Sequence, residues 1–194
     1  MNKIQAVKTA KIEEVKKNSK KGFTLVELVV VIAILAILAA IAIPVVASTI
    51  KSSQISSAKS NAQTVELAIK EAKAAISSGD NSVFSGASTG TIKLSAVASD
   101  KKIESAFNAQ YNIDGQLYTC AWNKADAKVY FVTSVADAST GKVSFTLGDG
   151  KTFQTIDGVT KNIDAKNFTS LDLTTSGDTN VADLPNNAAK EGGK

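Results

Sequence analysis

From Leu28 to Ala47 the chain runs for twenty residues without a charge, and Leu, Val, Ile and Ala fill every position except Pro44. At about 1.5 Å of rise per residue such a helix spans roughly 30 Å, the thickness of a bilayer's hydrocarbon core. In lipid the backbone must satisfy its own N–H and C=O groups, and a helical ladder does so within one segment. The stretch therefore predicts a membrane-spanning helix, and the rest of the chain must be organised around it. An ordinary secretory signal fits less well, since its apolar region is shorter and ends at a small-residue cleavage site.

Charge is segregated to either side of this stretch. Residues 1–22 hold seven Lys and two Glu, a net of +5, whereas the whole chain is +4, so residues 23–194 carry −1. Lysines precede the apolar run and only Lys51 follows it closely, which places the N-terminus in the cytoplasm and the body outside. With no cationic cluster on the body, nucleic acid is not a predicted partner for it.

Composition removes most enzymatic chemistry. The sequence has no His, one Cys and no Arg among 194 residues. Without His there is no Ser-His or Cys-His nucleophile pair, and the commonest zinc ligand is missing. One Cys permits no intrachain disulfide. No catalytic residues, no metal site and no cofactor are expected.

The boundary string Lys20-Lys21-Gly22-Phe23-Thr24-Leu25-Val26-Glu27-Leu28 has a basic leader, a Gly, a Phe, and a lone Glu in an apolar run. It resembles the class III signal of type IV prepilins and pseudopilins, and the likeness continues to Pro44. The resemblance implies cleavage between Gly22 and Phe23 by a membrane-embedded prepilin peptidase, then N-methylation of Phe23. Glycine fits this position because an extended peptide without a side chain enters a narrow cleft. A charge such as that of Glu27 costs roughly 2.5–3.5 kcal/mol at mid-helix in lipid. By the same resemblance its carboxylate pairs during assembly with the N-terminal amine of a neighbouring subunit, so that neither charge is buried alone.

Pro44 removes a backbone donor and crowds the carbonyl of Ala40, which predicts a kink. In related filaments the helix before this proline partly melts. Many relatives carry Gly there, but this chain reads Leu35-Ala36-Ile37-Leu38. Ala favours helix by about 1 kcal/mol over Gly, so any melting is expected to be short.

Beyond the proline, Ile55, Ala58, Ala62, Val65, Ile69, Ala72 and Ile76 recur in steps of three and four, a helical stripe. Lys59, Gln63, Glu66, Lys70 and Lys73 are expected to face away, with Glu66 and Lys70 an i,i+4 pair. Ser77-Ser78-Gly79-Asp80 ends the helix. A Ser/Gly-rich connection follows, holding one expected helix over about Asp100 to Gln110. Strands are predicted at Gln116–Asn123, Lys128–Val135, Lys142–Leu147 and Lys151–Asp157, with Asp149-Gly150 as a tight turn. Cys120 reads as a buried, inert thiol. The Asp-bearing tail, including Ser176–Asp183, reads as a solvated loop and not a calcium site, with Asn186–Lys194 frayed.

The expected organisation is a cleaved leader over 1–22, a transmembrane and assembly helix over 23–50, and a globular head over 51–194. Within the head, 51–77 is amphipathic helix, 78–115 the αβ-loop, 116–157 sheet and 158–194 a polar C-terminal region. The fold class is α+β: a pilin-like long helix packed on a four-stranded antiparallel sheet. The resemblance implies a type IV pilus subunit serving adhesion or twitching motility, held in the cytoplasmic membrane as precursor and displayed on the cell surface in a filament of its own copies. The prepilin peptidase, the assembly platform and its ATPase are the other implied partners. A pseudopilin of a type II secretion or competence system, and a singly displayed membrane-anchored adhesin, are the alternatives. The missing disulfide and the Lys-only basicity lean toward a Gram-positive, clostridial type of pilin.

Overall fold

The computed structural model describes residues 22–80, 82–85, 87–88, 90–140, 142–145, 147, 152–158, 164–173 and 179–185. The chain forms two compact units, Met1–Thr49 and Ile50–Lys194. Helix α1, Leu25–Ser78, runs through both. Three predicted features lie outside the described residues: the leader before Gly22, the Asp149-Gly150 turn and the terminal Asn186–Lys194. The first part of the proposed Ser176–Asp183 loop lies outside them as well.

In the second unit α1 buries the predicted stripe. Ala58, Ala62, Val65, Ala68, Ile69 and Ala72 are buried, and Ile55 and Ile76 are packed against the same core. Trp122 and Phe131 from the sheet, and Phe107, pack into the same core as these small alanines. The helix ends where expected: Gly79 takes φ 74, the left-handed conformation that closes a helix without Cβ strain, and donates its N–H to Ile76 O.

Two of the predicted outward-facing residues turn inward instead. Glu66 pairs with Lys70 as expected, but its Oε2 also accepts the N–H of Val129 at 3.2 Å. Lys73 is half-buried, with its ammonium over the Trp122 ring, 5.3 Å from the ring centroid.

The single helix expected over Asp100–Gln110 is two short ones, α2 at Leu94–Asp100 and α3 at Glu104–Phe107. Leu94, Val97 and Ala98 carry the first into the core, and Lys102 at φ 56 breaks the path between them. Gln110 starts a strand, not a helix turn.

Strands β1 (Gln110–Ile113), β2 (Gln116–Asn123), β3 (Lys128–Ala136), β4 (Val143–Ser144) and β5 (Phe168–Ser170) form one antiparallel sheet in the order β1-β2-β3-β4, with β5 also paired to β2. β2 and β3 match their expected bounds closely and pair over seven positions, Cys120 opposite Phe131 and Ala121 opposite Tyr130. Their alternation sends Cys120, Trp122, Val129 and Phe131 to the helix-side core. Ala121, Val132 and Phe168 form a smaller cluster with Tyr130, Phe145 and Phe153.

The predicted third and fourth strands are curtailed because they share one edge. β4 takes the Val135–Ala136 end of β3. The 154–156 segment takes the middle, through Thr133 N–H to Gln154 O and Ile156 N–H to Phe131 O, each 2.9 Å. On the other edge β1 pairs with the first half of β2 and β5 with the second. The resulting α+β architecture, a long N-terminal helix on an antiparallel sheet, is pilin-like.

The described parts of the C-terminal region are not the solvated loop expected. Phe168 and Leu171 are buried beside β2, and Val181 and Leu184 are core residues. Cys120 is buried and free as expected, and burial raises its thiol far above the ordinary range.

Candidate functional site: the N-terminal signal and apolar helix

Gly22, Phe23 and Thr24 precede the first turn of α1 in extended or irregular backbone. Gly22 is exposed, with no heavy atom within 4 Å of where a Cβ would stand, so nothing in the fold itself requires glycine there. Phe23 is 89% exposed.

Thr24 and Glu27 build a capping box. The Thr24 hydroxyl accepts the N–H of Glu27 at 3.2 Å, and Glu27 Oε2 accepts both the backbone N–H of Thr24 at 2.9 Å and its hydroxyl at 2.7 Å. Two N–H groups that an α-helix leaves orphaned at its start are satisfied this way without water. The predicted Glu27 is thus on the first turn, and the part played by Thr24 went unread in the sequence. The Thr-x-x-Glu spacing ahead of an apolar run was the signal for it.

After Glu27 the helix is apolar on every side. From Leu25 to Val46 the large side chains are 47–78% exposed, with Val29 and Leu25 the extremes. Each Leu, Ile or Val is worth about 1.5–3 kcal/mol when taken out of water, so water is not the solvent this segment is built for. The helix is long and apolar enough to cross a membrane. Pro44 sits inside it, and α1 continues on both sides. One turn later the hydroxyls of Ser48 and Thr49 both donate to Val45 O at 2.9 Å, which leaves neither polar group seeking water.

The head offers no comparable constellation among the described residues. A cleft of about 170 Å³ between α1 and β3 is lined by Ala58, Ala62, Glu66, Val129 and Ile156. Its charged groups are already engaged: Lys59 lies 3.4 Å from Asp157, and Glu66 accepts the N–H of Val129. Tyr130 donates to Asp126 Oδ2 at 2.6 Å, and burial with the nearby carboxylate raises its phenol well above the usual range. Among the described residues no three His, Cys, Asp or Glu side chains are grouped to hold a metal ion.

Comparison with known families matches residues 17–43 to the prokaryotic N-terminal methylation motif. No curated protein and no solved structure matches the chain. The motif and the apolar helix together make the precursor a membrane-anchored one, of the kind a prepilin peptidase processes. A basic stretch, a Gly-Phe boundary, a capped first turn and an exposed apolar helix thus converge on one reading: this chain carries a prepilin-type N-terminal methylation signal, joined to an α+β head.

Proposed function

We propose that the protein is a structural subunit of a type IV pilus, stored in the cytoplasmic membrane, cut between Gly22 and Phe23, methylated at Phe23 and polymerised through α1. The single observation that carries this reading is the coincidence of the methylation motif with a helix whose large apolar side chains stay exposed among the described residues. Such a helix needs a second apolar environment once it leaves lipid, and copies of itself supply one. Repetition of the same contact by a non-closing operator gives a filament. Glu27 then pairs with the new amine of Phe23 on an adjacent copy, and Pro44 marks where the helix yields during the transfer. The role is structural and not catalytic.

N-terminal mass spectrometry of sheared surface filaments tests this. A peptide beginning at methylated Phe23 is the expected result. A mature protein that begins at Met1, or after Ala47, overturns it. Recovery of the processed protein only in membranes, without filaments, favours single display as an adhesin.

A further inference from the structure

Residues Thr179–Pro185 touch three separate elements of the head. At one end they run antiparallel to the entry of α2: Val181 N–H donates to Ile92 O at 2.8 Å, Leu94 N–H donates to Thr179 O at 2.9 Å, and Asn180 bridges Lys93. The Asn180 Oδ1 accepts from Ile92 N–H at 3.3 Å and from Ala182 N–H at 3.1 Å, which fixes the turn that follows. At the other end Trp122 Nε1 donates to Pro185 O at 3.1 Å, and the Lys73 ammonium donates to Leu184 O above the same indole. Val181 and Leu184 are buried between these two grips.

α2 depends on this segment for its start. Its N-cap, Lys93, makes no side-chain capping bond, and the helix is seven residues long. A helix so short leaves a large share of its N–H groups without intrahelical partners. The first of them is met by Thr179 O instead of by a local cap. The sheet, by contrast, is held by the seven-position β2–β3 ladder, in which none of these bonds takes part.

We propose that Thr179–Pro185 and α2 form one cooperative unit that opens separately from the sheet, with the Trp122–Pro185 hydrogen bond as its latch. Opening the latch withdraws Thr179 O from Leu94, and α2 loses its N-terminal acceptor in the same event. Local units of this kind open with free energies below that of global unfolding.

Hydrogen exchange with mass spectrometry on the full chain in detergent micelles tests the coupling. In Asn180→Ala and in Trp122→Phe, peptides covering 92–101 and 179–185 are expected to exchange at least about tenfold faster together. In Asn180→Ala, peptides covering β2 and β3 are expected to keep their wild-type rates, and in Trp122→Phe, which also removes core volume, to speed up less than 92–101 and 179–185. Asn180→Asp retains the accepting oxygen and is expected to exchange like the wild type. The proposal is overturned if 179–185 speeds up while 92–101 does not, if β2 and β3 speed up equally, or if neither variant changes the exchange of either peptide.

Discussion

Thr24 and Glu27 hold each other across the first turn of α1, with the carboxylate accepting from the Thr24 hydroxyl at 2.7 Å and from its backbone N–H at 2.9 Å. The lone acidic residue of the apolar segment is therefore engaged by its own helix before any partner arrives. A carboxylate that caps its helix is neither orphaned in lipid nor wasted as a charge. Under the proposed function, an intersubunit partner of Glu27 meets a carboxylate whose Oε2 already accepts twice from Thr24.

Replacing Thr24 with Val removes the hydroxyl that both accepts from Glu27 N–H and donates to its carboxylate. The expected loss is about 1 kcal/mol of helix stability confined to the first turn. Faster amide exchange at Glu27 and Leu28 in micelles, with the rest of α1 unchanged, is the check. Thr24→Ser keeps the hydroxyl and is expected to exchange like the wild type.

Under the proposed function, Glu27→Ala leaves membrane insertion and the fold of the head intact but removes the assembly pair. Filaments are expected to vanish from the sheared surface fraction, while processed protein persists in the membrane fraction. Immunoblots of the two fractions give the answer, and wild-type filament yield in this variant would exclude Glu27 from assembly.

Glu66→Ala takes away the acceptor of the Val129 N–H, a contact that ties α1 to the start of β3. Val129 is buried, so its N–H loses a partner where water reaches it poorly. The expected cost is about 1–3 kcal/mol, read as a lower thermal midpoint. Glu66→Gln keeps an accepting oxygen and is expected to lose less.

Asp137 gives a pH dependence. The hydroxyl and N–H of Ser139 and the hydroxyl of Thr140 all donate to its carboxylate and hold it down to about 2. A carboxyl depressed on folding adds stability that is complete above its unfolded value, near 4, and is lost as pH falls toward about 2. The 137–140 turn is therefore expected to loosen between those limits, seen as faster exchange of Ser139 relative to β2. Asp137→Asn should flatten that dependence, and an Asp137 that titrates at an ordinary value would contradict it.

Local chemistry was legible wherever a short run of residues decides its own conformation. The stripe of Ala58, Ala62, Val65, Ile69 and Ala72, the Gly79 stop, and strands β2 and β3 all follow from periodicity and backbone preference. Asp114-Gly115, at φ 52 and 75, is the tight turn between β1 and β2. Its Asp-Gly dipeptide is the same turn signal that Asp149-Gly150 carries. β5 was unreadable for a different reason. Its three residues, Phe168–Ser170, sit in a polar context and are a strand only because the second half of β2 offers unpaired backbone groups beside them.

The sequence by itself determined the apolar helix, its lone Glu27 and the processing motif, because a bilayer and a peptidase act on consecutive residues. Only the tertiary structure decided that Glu66 and Lys73 turn inward, that β4 and the 154–156 segment divide one edge of β3, and that the polar tail closes over Trp122. Those outcomes depend on backbone donors and acceptors brought together from distant parts of the chain, and hydropathy along a sequence does not record which of them will meet.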